Sequence, residues 1–143
     1  MRAYRIAYDG TTYHGFQRQP DVVTVSDAIL DALRDLNVVD EGAVPDGYAA
    51  AGRTDAGVSA THQTVAFEAP DWLDPSALNS ELPADVRAWA SAAVGAGFHA
   101  THDASAREYT YFLHAPGDRS GAGPSTPPAA DVERVRSTLD RLA

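Results

Sequence analysis

The residues best suited to chemistry stand together in Gly52-Arg53-Thr54-Asp55-Ala56-Gly57-Val58. A guanidinium, a hydroxyl and a carboxylate lie between two glycines. Glycine allows close approach of a ligand to the backbone. Arg53 offers a planar fork of donors that matches phosphate or carboxylate. A carboxylate such as Asp55, with a cation nearby, is held in its charged form and can act as a nucleophile. The same residue types also suit a structural turn, with Thr54 or Asp55 capping backbone amides and Arg53 in a surface pair. Residue types alone leave both readings open. A second cluster, His99-Ala100-Thr101-His102-Asp103, supplies two imidazoles. It lacks a third ligand and a zinc-type spacing, so no metal site is expected, and His99 is expected to pack beside Phe98. Trp72, Trp89 and Tyr111 are expected to be core or packing residues. Asp9 suits either ordering a turn or touching a substrate.

The elements that must position these groups follow from periodicity. Ala3–Tyr8 reads as a strand that ends at an Asp9-Gly10 turn. Residues 11–21 form a polar, aromatic loop. Thr24 is an N-cap with Asp27 three residues on, and Val25, Ala28, Ile29, Ala32, Leu33 and Leu36 recur at helical spacing over Val25–Leu36. Tyr48–Gly52 and Gln63–Glu68 read as strands. Asp74 caps a short helix with Pro75 at its first position. Val86–Val94 alternates like a strand although its alanines favour helix. Arg107–His114 reads as a strand with Tyr109, Tyr111 and Leu113 on one face. Residues 117–130 form a Gly/Pro-rich linker, and Asp131 caps a last helix over 131–143. The order is α+β: a mixed or antiparallel sheet backed by helices, close to the split βαβ pattern.

Five segments, in order over roughly residues 4–113, resemble the TruA family of tRNA pseudouridine synthases. Residues 52–58 resemble its catalytic motif. Tyr8-Asp9-Gly10-Thr11-Thr12-Tyr13-His14-Gly15-Phe16-Gln17-Arg18-Gln19-Pro20 resembles its opening motif, and Thr24-Val25 begins the helix that follows it. Leu78-Asn79-Ser80-Glu81-Leu82-Pro83-Ala84-Asp85-Val86 resembles a further family segment. Phe98-His99-Ala100 and Ala106-Arg107-Glu108-Tyr109-Thr110-Tyr111 resemble the strand bearing the active-site tyrosine. The resemblance implies the ferredoxin-like N-terminal half of the pseudouridine synthase fold. It implies isomerisation of uridine in the anticodon stem-loop of tRNA, at positions 38–40, without metal or cofactor. Asp55 would be the nucleophile and Arg53 would hold phosphate or fill the gap left by the flipped nucleotide. Tyr109 would stack on the extruded base, while Gln17, Arg18 and Gln19 would contact the tRNA backbone. Family members pair as homodimers. Two positions depart from the pattern: Ser59 stands where many members have His, and His62 where many have Gly.

Family members continue through a second, similar half. The expected organisation is therefore a catalytic domain over 1–116, the linker, and the start of a helix leading to that half. Weak or absent catalysis by 1–143 alone is the expectation. The competing function class is an RNA-binding module without chemistry. It accounts for a sheet with aromatics but gives no reason for the 52–58 segment. A third reading is an acidic domain that assembles with another copy or half.

Composition sets the surroundings. The chain has 143 residues and no Cys, which excludes a disulfide framework, a zinc ribbon and a thiol nucleophile. No apolar run reaches the roughly 18 residues of a membrane span. The amino terminus lacks a signal-peptide pattern, so a cytoplasmic protein is expected. All 11 basic residues are Arg, Asp outnumbers Glu 15 to 5, and the net charge is −9. Acid concentrates in residues 21–50, which sum to −6, whereas residues 1–20 sum to +2. Abundant Asp, no Lys and a strongly negative balance fit a high-salt cytoplasm. Refolding should accordingly require molar salt, read as a urea midpoint that rises with potassium chloride; full stability in dilute buffer would overturn the salt adaptation.

Overall fold

Tyr4, Ile6 and Tyr8 are buried and alternate with Ala3, Arg5 and Ala7, and this period of two makes Arg2–Tyr8 a strand, β1. The computed structural model describes residues 1–112. After β1 come α1 (Val25–Asp35), β2 (Ala49–Ala50), β3 (Ala60–Phe67), α2 (Pro75–Glu81) and β4 (Val86–Ala93). The four strands form one sheet in the order β2-β3-β1-β4, with every pairing antiparallel. This is the expected split βαβ layout. The chain divides into one unit over Met1–Arg107 and another over Glu108–Ala143; the linker and final helix read from residues 117–143 lie outside the described residues.

Helix α1 starts where the sequence signals it. The Thr24 side chain accepts from the Asp27 amide, and the Asp27 carboxylate accepts from the Thr24 amide at 3.0 Å, a complete capping box. Val25, Ile29, Leu30 and Leu33 then bury one face of the helix. Each such side chain contributes about 1.5–3 kcal/mol when fully removed from water. Tyr4 stacks on Phe67 with ring centroids 4.9 Å apart, and its hydroxyl donates to the Leu73 carbonyl at 2.8 Å. Burial pushes the Tyr4 phenol up to about 12. Asp74 caps α2 by accepting from the Ala77 amide at 2.8 Å, and Leu82-Pro83 ends it.

The alanine-rich 86–93 run is a strand, as its alternation indicates; it pairs with β1 along its length, and that ladder outweighs helix propensity. Three features differ from the sequence reading. β2 is shorter than Tyr48–Gly52, because the Gly52 amide donates to the Gln63 side chain instead of a strand neighbour. Residues 107–112 are not a strand, and Tyr111 and Phe112 are exposed; alternation supplies a face but not a ladder partner. Trp72 and Trp89 are not core residues, being 54% and 51% exposed. Trp89 follows buried Ala88 in the alternation of β4 and so faces away from the core, at the point where the β1–β4 register shifts between Arg5 and Ile6.

Thr24 is fully buried, so Thr24→Ala removes the cap without offering water in its place. Urea denaturation should show a loss of about 1–2 kcal/mol; a change below a few tenths would contradict the role given to the cap.

Candidate active site

Two loops emerge at the end of the sheet where β1 finishes and β3 begins. The first joins β1 to α1 and the second joins β2 to β3. Backbone bonds run directly between them: the Phe16 amide donates to the Thr54 carbonyl at 3.0 Å and the Gly57 amide to the Tyr13 carbonyl at 3.1 Å. Such contact requires residues without a Cβ. At Gly10 a Cβ would overlap the Val58 carbonyl. At Gly15 the backbone has φ +92°, and a Cβ would come within 2.9 Å of the Thr54 carbonyl.

Side chains pin the second loop further. The Tyr8 hydroxyl shares a hydrogen bond of 2.7 Å with the Thr54 hydroxyl. The Ser59 hydroxyl accepts from the Gly10 amide at 3.0 Å and donates to the Asp9 carboxylate at 3.3 Å. Asp9 thus orders the turn, and the Thr11 hydroxyl and amide, with Ser59, hold its carboxyl below the usual range. Buried Gln63 clasps Gly52 at both ends: its Nε2 donates to the Gly52 carbonyl at 2.8 Å, and its Oε1 accepts from the Gly52 amide at 3.1 Å. Arg107 Nε donates to the Ala51 carbonyl at 2.7 Å. On the first loop, the Tyr13 hydroxyl donates to Asp85 at 2.9 Å; burial and that carboxylate push it up to about 12.

The loops enclose an open cavity of about 680 Å³, lined by residues 14–19, Val22 and residues 53–56. Asp55, Arg53, Gln17, Arg18 and Gln19, all singled out from the sequence, therefore share one cavity. Arg18 is fixed by an ion pair of 2.8 Å to Asp27, the N3 residue of the α1 capping box, and Gln19 by donating to the His14 carbonyl at 2.8 Å. Asp55 and Arg53 are exposed. Among the described residues neither side chain has an ion pair or a hydrogen bond. The structural-turn reading needs Thr54 or Asp55 on a backbone amide and Arg53 in a pair; the Thr54 hydroxyl meets the Tyr8 hydroxyl instead, and among the described residues neither the amide bond nor the pair is observed. The guanidinium lies on the same cavity wall as Asp55 without pairing to it, so both charges face outward. Tyr109 belongs to the second unit, where it is 59% exposed in a segment without regular structure.

No protein-family model matches the chain. Curated relatives do. A "tRNA pseudouridine synthase A" of Natronomonas pharaonis is 61% identical over 143 residues, which is all of this chain and 50% of that protein. One of Haloarcula marismortui is 66% identical over 119 residues, 82% of this chain and 43% of the relative. One of Methanosarcina acetivorans is 45% identical over 113 residues, 78% of this chain and 42% of the relative. The chain belongs to the tRNA pseudouridine synthase A family. It spans about half the length of the curated relatives it matches.

Within this pseudouridine synthase A segment, the two departures from the family pattern have defined places. Ser59 ties the loops together with a single hydroxyl, and His62 lies exposed on β3 with its ring edge-on to Trp89. His99 is also exposed, its ring 4.2 Å from that of His102, rather than packed in a core. Among the described residues no group of three acidic, His or Cys side chains could hold a metal, and no helix is long and apolar enough to cross a membrane. Sequence reasoning missed Tyr8, Gln63 and Ser59 as the residues that hold the loop. The only available signal was a polar glutamine in the alternating apolar register of β3.

Replacing Gln63 by Leu keeps the volume and orphans both polar groups of Gly52. The urea midpoint should fall by an amount equivalent to about 1–3 kcal/mol, while Gln63→Glu should recover part of it; an unchanged midpoint in the leucine variant would remove Gln63 from the loop's supports.

Proposed function

We propose that this chain is the Asp-bearing half of an enzyme that isomerises uridine to pseudouridine in tRNA, with Asp55 as its nucleophile. The reading is carried by one observation: a carboxylate without a partner among the described residues, on a doubly braced loop, in a cavity it shares with Arg53 and Arg18. A target uridine in a stem is out of reach of such a group unless it leaves the stack, and a cavity of about 680 Å³ offers room for an extruded nucleotide. The reaction breaks the bond from C1′ to N1, turns the base, forms the bond from C1′ to C5, and moves the C5 proton to solvent while N1 gains one. The Asp55 carboxylate has three candidate roles: attack at C1′, attack at the base, or removal of a sugar proton. All three need it ionised and facing solvent.

Arg53 supplies uncompensated positive charge at the cavity wall and Arg18, held by Asp27, adds positioned guanidinium donors, both suited to backbone phosphates on either side of the nucleotide. Gln17 and Gln19 add neutral donors. Tyr109 is the family resemblance's candidate for stacking on the base. The substrate in this reading is the anticodon stem-loop at positions 38–40, the enzyme is cytoplasmic, and the complete protein works as a homodimer without metal or cofactor. Similarity to enzymes of Natronomonas, Haloarcula and Halobacterium supports a halophilic setting.

The test is Asp55→Asn in the chain joined to the second half of the Natronomonas pharaonis relative. Pseudouridine formation should fall at least ~10³-fold, as for loss of other nucleophiles, with tRNA affinity nearly unchanged. Equal loss of both would favour the RNA-binding module without chemistry, and undiminished turnover would remove Asp55 from the reaction.

A further inference from the structure

The sheet's two faces differ. Tyr4, Ile6, Tyr8, Val65, Phe67, Val86 and Ala88 point into the core with the helices. On the opposite face lie Arg5, Ala7, His62, Arg87 and Trp89. The charge of the strands is opposite to that of the chain: β1, β2, β3 and β4 contain three Arg and no Asp or Glu, in a molecule of net charge −9. None of those three Arg is neutralised by an acid among the described residues. Arg5 donates to the His62 carbonyl at 3.3 Å and Arg87 to the Pro83 carbonyl at 2.7 Å, whereas the paired guanidiniums, Arg18 and Arg34, lie off the sheet. A carbonyl satisfies a donor without cancelling its charge.

Trp89 completes the arrangement. It starts on β4, yet its Nε1 donates to the Thr61 carbonyl on β3 at 3.2 Å and its ring meets His62 at 5.2 Å. β1 lies between those strands, so the indole reaches across it. The ring is held at both ends and is still 51% exposed. This lies at the same end of the sheet as the Asp55 loop, because Tyr8 pairs with both Val86 and Ala60.

We propose that Trp89, His62 and Arg5 form a second RNA contact, in which the fixed indole stacks on an unpaired base and Arg5 meets the adjoining phosphate. It rests on the tRNA-modifying reading of the Asp55 cavity and extends it to the open sheet face. The partner is RNA because the patch combines an anchored aromatic with uncompensated guanidinium charge, the pairing that binds single-stranded nucleic acid.

The probe is a synthetic anticodon stem-loop, titrated into the full chain across a potassium chloride series in which it stays folded. With Trp72→Phe as background, the remaining tryptophan emission should be quenched on binding. Trp89→Ala should weaken affinity at least about fivefold and Trp89→Phe much less. Arg5→Gln should flatten the slope of log affinity against log salt by roughly 0.7–0.9. If the parent binds and these variants match it, the sheet-face contact is wrong while the Asp55 reading stands. If the parent does not bind RNA, the contact falls together with the reading it rests on, whereas turnover by Asp55→Asn strikes that reading alone. Self-association abolished by Trp89→Ala, without an effect on RNA, would make the patch an interface between copies and overturn the proposal.

Discussion

Everything at the candidate site depends on two loops lying backbone against backbone. The contact is possible because Gly10 and Gly15 have no Cβ to collide with the Val58 and Thr54 carbonyls. Once the strands of peptide are that close, Phe16 and Gly57 can donate across the gap. Several polar groups of the second loop are then bonded internally, while among the described residues the side chains on either side of Thr54 have no hydrogen bond or ion pair.

This division of labour explains why Thr54 sits between Arg53 and Asp55. Its carbonyl is held by Phe16 and its hydroxyl by Tyr8, a residue rooted in β1. Gln63, rooted in β3, holds Gly52 from the other side. The loop is thereby tied to two central strands of the sheet, and preorganisation of this kind is what places a reacting group without cost at the moment of reaction. The same logic fixes the far wall of the cavity, where Arg18 is bonded to Asp27 of the α1 capping box. A helix start and the cavity wall thus share one carboxylate, Asp27.

Charge is partitioned in a comparable way. Acidic residues dominate the helix, the turns and the loops after it, while the strands and the cavity wall carry only Arg for full charge apart from Asp55. In strong salt, long-range repulsion of a polyanion is screened within a few ångström, on the order of 3 Å at 1 M. An acidic shell and the RNA contacts proposed above can then coexist, because short-range contact geometry outweighs long-range repulsion.

The sequence by itself determined the helices, the sheet-forming runs and the group of candidate residues around 52–58 and 17–19. These are local signals: Thr24 and Asp27 are three residues apart, Asp74 precedes Pro75, and Tyr4, Ile6 and Tyr8 alternate. It also carried the family, since five segments keep their order. Tertiary structure alone decided that residues 17–19 and 53–55 line one cavity, because backbone bonds between distant loops leave no periodic trace. It decided that 107–112 is not a strand, because a strand exists only where a neighbour completes its ladder. It also placed Trp89 on the exposed face of the sheet, because Val86 and Ala88 take the core side of β4 and the residue between the buried positions must point the other way, however large and apolar its ring.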